Sequence, residues 1–588
     1  MSTIYINILL AFITISENHR TPDMPFMIEN NPEAGHCDPF DVLINEIMAR
    51  PSPPVGLPET EYIELFNRSD KTVRLYNWTI SVGTRSRVIP EHIMMPGGFL
   101  LITHENNVES LMEFGEVAGM PAFPILAMAG QTITLRNNKG SVISAINYSD
   151  KWYGNNLKAS GGWSLEQIDP FNPCGGSINW TASTSSKGGT PGMPNSVIGV
   201  NPDNISPKMI RASYLSPASL RLHFNEPMHP GMTWSPDKFY AEGIGHPLWV
   251  IPAQPFFDEV DLFFSSEFEE DTYYTVSTKN DFYDCAGNIL NREANAAKFT
   301  IPLSPAYQEI IINEILFNPF PGGTNFVELV NNSNKTFDLK QITLAGITQG
   351  YPDPAYIIAA EGYLLFPGEY VVLTKEPEIV KNHYFSPHPD KFVSMDRIPQ
   401  MNNSNGRVVI TDIHLNIIDD LQYEEDMHSP LLSNKKGISL ERISYSRPAS
   451  DPTNWISASE KSGFATPGYK NSQYLDIVNP EKEFLSVDPK IFAPDNSGYR
   501  DVTNIYYNID KQGYIGSITI FDSRGRSVRK LVSNELFGTS GVYSWDGRNE
   551  ANNKARLGIY LILMELFHPD GDVRKYKEPV VLGGKFRQ

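Results

Sequence analysis

Along most of the chain, apolar and polar residues alternate over about four to eight positions and then break at Gly, Pro, Asn or Asp, which is the pattern of short half-buried strands. The segment GQTITLRNNKGSVISAINY (130–148) is typical. Thr132, Thr134 and Arg136 alternate with Ile133 and Leu135, Asn138-Lys139-Gly140 reads as a turn, and a second strand follows. Two such runs about a short Gly-containing turn predict a hairpin. Helical periodicity is nearly absent, so the pattern predicts an all-β chain.

The strand pattern is written twice. YIELFNRSDKTVRL (62–75) returns as FVELVNNSNKTFDL (326–339) with 7 of 14 positions identical. LINEI (43–47) and IINEI (311–315) precede the two stretches, and PGGFLLITHEN (96–106) and PGEYVVLTKEP (367–377) follow them. GQTITLRNNKGSVISAINY then pairs with NGRVVITDIHLNIIDDLQY (405–423). The copies close as WSLEQID…NWTAS…GGTPGMPNS (163–196) and ISLERIS…NWISA…FATPGYKNS (438–472). A conserved order of blocks with different insertions between them marks a duplicated domain. Each copy is expected to be a sandwich of about seven short strands.

These blocks resemble the lamin-tail domain, an immunoglobulin-like sandwich. The likeness rests on INE, then E-L-x-N-x-S-x-K-T, then the closing TPG-x-x-N-S, and spans residues 37–198 and 306–475. Between the copies, LHFNEPM (222–228) and DCAGN (284–288) resemble the bacterial Ig-like domain of surface-layer proteins, over residues 203–302. After them, FAPDNSGYRD, IFDSRGR, WDG and GIY, over residues 483–588, resemble the Ig-like domain of the flagellar-hook capping family. They also resemble C-terminal sorting modules of secreted Bacteroidetes proteins, including the gliding-associated type. The resemblances imply tandem immunoglobulin-like β-sandwiches and an export address read by a type IX secretion machinery. Residues 1–36 stand apart: the apolar run 4–15 has the length of a signal-peptide core but lacks a basic start. The other reading of this segment is a strand of an upstream domain.

Length and charge narrow the function classes. A chain of 588 residues exceeds one core and predicts about three to five domains. The net charge is −20, with no run of Lys and Arg, which argues against a nucleic-acid partner. No stretch of about 18 apolar residues predicts a membrane-spanning helix.

Candidate chemistry is sparse. Glu64 and Glu328 repeat, as do Glu46 and Glu314, so each copy could bring two carboxylates together for acid–base work. The favoured reading is structural: a Glu on the polar face of a strand, accepting from turn amides near Ser69 or Ser333. PDNSGYRD (494–501) places oxygen-bearing Asp495, Ser497 and Asp501 around a Gly, a pattern suited to calcium, against the alternative of an Asx-turn. Cys37 precedes the first strand of copy one and Cys174 lies near its last. Sandwich ends can neighbour one another, so a Cys37–Cys174 disulfide is expected in an oxidising compartment, with Cys285 unpaired. No nucleophile, zinc or phosphate-loop motif is present.

Taken together these features predict a secreted or cell-surface binding scaffold without catalytic activity, exposed on the outer-membrane exterior. Its expected partners are a surface protein or glycan and the secretion machinery. The competing expectation is a metal-dependent extracellular hydrolase or an accessory to one.

Overall fold

The computed structural model describes residues 37–279, 281–429, 432, 434–474, 484–494 and 502–584. The longest helix among them is Pro377–His383; the rest of the regular structure is almost entirely strand. The chain divides into two compact units, Met1–Pro202 and Asp203–Gln588.

In the first unit a six-stranded sheet faces a four-stranded one. The larger runs Trp180–Ala182, Leu165–Gln167, Val42–Met48, Tyr62–Asn67, Phe99–His104, Val117–Met120. The smaller runs Val142–Ser149, Gly130–Arg136, Thr79–Val82, Arg85–Val88, and contains the predicted hairpin. With the short pair Val73–Arg74 and Ile93–Met94, the copy holds more strands than the seven expected. The extra ones are two- to four-residue pieces too short to show alternation. Ile44, Ile47, Ile63, Leu65, Leu100, Ile80, Ile133 and Leu135 fill the space between the sheets.

The second unit holds the second copy with the same strand order. Its larger sheet runs Phe392–Ser394, Tyr370–Thr374, Phe326–Asn331, Ile310–Leu316, Leu440–Arg442, Trp455–Ser457. Its smaller sheet runs Tyr351–Ile357, Ile342–Thr348, Asn405–Asp412, Ile417–Glu424. Residues 203–302 form a four-stranded and a three-stranded sheet around Leu222, Val260, Phe239, Val276 and Phe299. The C-terminal segment forms a three-stranded and a five-stranded sheet around Trp545, Ile520 and Ile562. The fold is thus a tandem series of immunoglobulin-like β-sandwiches.

One feature departs from simple alternation. Val42–Met48 and Ile310–Leu316 are buried at every position, on both faces. In each, the register shifts by one residue, between Ile44 and Glu46 and between Ile312 and Glu314. The INE motif is therefore a β-bulge, with Asn45 or Asn313 as the extra residue. The second face is covered by the closing segment of the copy, and the bulge aims polar groups at it.

Candidate functional site

Glu46 lies between Glu64 and Glu166 in cross-strand register on three adjacent strands. Glu314 lies between Glu328 and Glu441 in the same way. All six side chains are fully buried. The expected pairs do meet, but a third glutamate joins each, from the repeated LEQ and LER of the closing block. No lysine or arginine pairs with any of the six among the described residues, so their partners are neutral donors.

Those donors come from the closing segment. In copy one, Gly192 N–H donates to Glu64 Oε2 at 2.6 Å and Asn45 Nδ2 to Glu64 Oε1 at 2.8 Å. Tyr62 Oη (2.7 Å) and Thr190 N–H (3.0 Å) donate to Glu46 Oε1. Ser196 Oγ (2.7 Å) and Val197 N–H (3.2 Å) donate to Glu166 Oε2. Copy two repeats the pattern through Gly468 and Asn313 on Glu328, Thr466 and Ser439 on Glu314, and Ser472 and Gln473 on Glu441. Phe326 stands where copy one has Tyr62, so in copy two the Ser439 hydroxyl and the Thr466 amide hold Glu314 without a tyrosine.

The position of a proton follows from geometry. Thr190 Oγ1 is 3.3 Å from Glu46 Oε2 and 2.9 Å from Glu166 Oε1. Thr466 Oγ1 is 3.2 Å from Glu314 Oε2 and 2.8 Å from Glu441 Oε1. A hydroxyl has one proton to give, so a carboxyl proton serves one contact of each pair. Burial, and then the neighbouring Glu166, push Glu46 up to about 7; burial and Glu441 push Glu314 up to about 8. Burial first and Glu46 second also raise Glu64, opposed by the Gly192 and Asn45 donors.

The structural reading of Glu64 and Glu328 thus finds its amides in Gly192 and Gly468, not near Ser69 and Ser333. Those two turns are held by other side chains: Asn67 Oδ1 accepts from Ser69 N–H at 3.1 Å and Asn331 Oδ1 from Ser333 N–H at 3.0 Å. An alternating strand sends Glu64 and Asn67 to different partners, which spacing along the chain does not reveal. The signal for the true partners was the repeated T-P-G-x-x-N-S motif.

The cysteine expectations are corrected. Cys37 is a free thiol, while Cys174 and Cys285 are both disulfide-bonded. Cys37 packs half-buried against the first core and its thiol donates to the Asp38 carbonyl at 3.7 Å. Neighbouring sandwich ends are not enough for a bridge, because the two Cβ atoms must approach within about 4.5 Å. Burial, and then Asp41, push this thiol up to about 12, so it is inert as a nucleophile. Asp495, Ser497 and Asp501 lie outside the described residues.

A second carboxylate group joins the FNEPM and DCAGN segments. Single oxygens of Asp203, Glu226 and Asp284 all lie within 4.8 Å of one another. Asp284 is buried and accepts from the amides of Ala286 (2.8 Å) and Asn288 (2.9 Å), closing its own turn. Burial, then Asp203 and Asp284, push Glu226 up to about 7.

Duplicated sandwiches, each sealed by a buried glutamate ladder, define the class: a tandem immunoglobulin-like β-sandwich protein. The Lamin Tail Domain family model matches residues 38–150 and 304–425, so the two copies are each similar to that domain. Both matches stop short of Glu166 and Glu441 and of the closing motif, which the structure shows to be part of the same hydrogen-bonded unit. No curated protein matches the chain. Among solved structures, it is similar to dimeric latent PorU from Porphyromonas gingivalis, at 10% identity over 70% of this chain and 36% of that one (TM-score 0.15). Domains 1–6 of the surface layer protein SbsC align at 10% identity over 65% of this chain and 55% of that one (TM-score 0.16). PorZ, a surface component of the type IX secretion system of Porphyromonas gingivalis, aligns at 9% identity over 89% and 74% (TM-score 0.17). At such TM-scores these alignments establish no shared overall arrangement.

Proposed function

We propose that this protein is an exported, non-catalytic scaffold of the cell surface, with its C-terminal sandwich serving as the address for a type IX-like secretion route. The observation that carries the non-catalytic part is the commitment of the glutamates. In both copies the residues best suited to acid–base chemistry have both oxygens hydrogen-bonded to groups of the fold itself. A catalytic carboxylate must instead reach a proton on a bound substrate. The export part is supported by the resemblance of residues 483–588 to sorting modules.

Two experiments separate the parts. Deleting residues 484–588 in the native host is expected to abolish surface exposure while the shortened protein still accumulates inside. Unchanged exposure overturns the export reading. The purified chain, screened against glycoside, phosphoester and peptide substrates with and without calcium, magnesium or zinc, is expected to show no turnover. Metal-dependent turnover lost in Glu64→Gln would establish the hydrolase reading instead.

A further inference from the structure

The C-terminal sandwich leaves one apolar sheet face open. Its five-stranded sheet runs Ile491–Phe492, Val573–Leu582, Gly558–Phe567, Ile515–Asp522, Ser527–Leu536. Gly558–Phe567 is apolar on both sides: Tyr560, Ile562, Met564 and Leu566 fill the core, and Ile559, Leu561, Leu563 and Phe567 point away from it. A strand apolar on both sides has the pattern of one covered on both sides. Register carries the outward face across the neighbouring strands. Val581 and Ile491 share a row with Ile559, Pro579 and Phe521 with Leu561, and Val573 and Ile515 with Phe567. Ile491, Ile559, Phe567 and Val573 are 58%, 61%, 45% and 57% exposed, so the face is not sealed by the rest of the fold.

The sandwich architecture does not require such a face. In the first lamin-tail copy the outward side of the smaller sheet carries Thr79, Ser81, Thr132 and Asn147, while Ile80, Val82 and Ile133 fill the core. That alternation is the ordinary one for a sheet with one solvated side. On the C-terminal face the charged residues fall in two adjacent rows. Lys577, Leu563, Thr519 and Lys530 form one, and Lys575, Glu565 and Ser517 the next. Lys575 pairs with Glu565 at 2.8 Å.

We infer that two copies of the chain meet through this face, about a twofold axis lying along Gly558–Phe567. Such an axis sets each row on the same row of the second copy, with Val573–Leu582 of one copy over Ile515–Asp522 of the other. Apolar rows then meet apolar rows, Pro579 on Phe521 and Val573 on Ile515. Lys577 and Lys575 fall opposite Thr519 and Ser517, whose hydroxyls accept from an ammonium. Each Glu565 is neutralised by its own Lys575, and Lys530, on the edge strand, extends to solvent. Four strands of eight to ten residues make a face of about 30 by 20 Å, so a face-to-face pair buries about 1,200 Å2, the size at which specific interfaces begin. Residues 484–588 hold fifteen Lys and Arg against twelve Asp and Glu, in a chain of net charge −20. Two copies of this acidic chain therefore repel one another least through this module. A closed twofold pair is the commonest assembly of identical chains.

The test is sedimentation of the purified full chain from about 1 to about 100 μM, which owes nothing to the export route. A species of twice the 65.9 kDa chain mass is expected to grow in across this range. Ile559→Lys and Phe567→Lys, both at exposed positions, are each expected to raise the dissociation constant about tenfold or more with an unchanged Tm. The double change Ile559→Thr with Phe567→Thr, which keeps the strand preference, is expected to do the same and decides the matter if a lysine variant loses Tm. Tyr351→Lys, an exposed change in the second lamin-tail copy, should leave pairing unaltered. Pairing through this face is overturned if the chain keeps the mass of one copy at about 100 μM. It is likewise overturned if folded variants at 559 and 567 pair as the parent does, or if Tyr351→Lys weakens pairing as much as they do. A chain that stays single yet co-floats with phosphatidylglycerol vesicles also overturns it, and assigns the face to a lipid surface.

Discussion

Asn45 and Asn195 hold each other across 150 residues of chain. Asn45 Nδ2 donates to Asn195 Oδ1 at 2.9 Å, and Asn195 Nδ2 donates to the Asn45 carbonyl at 3.1 Å and to the Gln167 carbonyl at 2.7 Å. Asn313 and Asn471 repeat the clasp at 2.7 and 2.9 Å, with the Arg442 carbonyl in place of that of Gln167. The clasp ties the bulge of the first strand to the closing motif and so completes each domain.

Removing the clasp should loosen the closing segment first. Asn195→Ala leaves buried donors and carbonyls unpaired, at a cost of about 1–3 kcal/mol. Hydrogen exchange of the full chain is expected to quicken by about tenfold or more over residues 190–197, with little change in the second copy. Uniform exchange across both copies, unaltered from the parent, would refute this role.

Glutamine should discriminate between two glutamates that look alike. In Glu46→Gln, the amide oxygen keeps the Tyr62 and Thr190 N–H contacts and the amide nitrogen donates to Thr190 Oγ1, so stability is expected within about 1 kcal/mol of the parent. In Glu64→Gln, both oxygens of the parent accept, and the new N–H must face either Gly192 N–H or Asn45 Nδ2. A loss of about 1–3 kcal/mol is expected. Equal denaturation midpoints for the two variants would refute a proton carried by Glu46 at its contact with Thr190 Oγ1.

The ladders make stability fall with rising pH. Glu46 and Glu314 have folded-state values of about 7 and about 8, above the ordinary value of 4.5. Between those limits the native state binds more protons than the unfolded one, so the slope of unfolding free energy with pH is negative. The contribution is complete below about pH 4.5 and is lost as pH rises through 7 and 8. Thermal unfolding from pH 5 to 9 should show a falling Tm, and Glu46→Gln should flatten the lower part of the fall. A Tm that climbs over this window contradicts the assignment.

Copy two carries a buried ion pair where copy one does not. Arg442 Nη1 lies 2.7 Å from Asp419 Oδ2 with both side chains buried, and Asp419 also accepts from Ile312 N–H at 2.9 Å. In copy one the amide of Ile44 meets Ser144 Oγ at 3.2 Å, and Gln167 occupies the position of Arg442. Asp419→Ala strands a buried guanidinium and is expected to cost about 3–5 kcal/mol. The double change Asp419→Ser with Arg442→Gln, which installs the neutral pair of copy one, should cost less than the single one. A double variant less stable than Asp419→Ala in chemical denaturation would refute the equivalence.

The strand alternation, the turn residues and the duplication were legible in the chain, because half-burial has period two and turns demand particular residues. The repeated Glu46 and Glu64 were legible as a pair for the same reason. The addition of Glu166 was not, since its strand is three residues long and its register is set by pairing, not by pattern.

By itself the sequence determined an all-β class, two copies of one domain and the residues held in common between them. Only the tertiary structure decided which donors those residues meet and that Cys37 stays unpaired. The physical reason is range. Periodicity and turn chemistry act over a few residues, whereas a buried carboxylate is satisfied by whatever donor the fold carries to it, here from 128 residues away in the contact of Gly192 with Glu64.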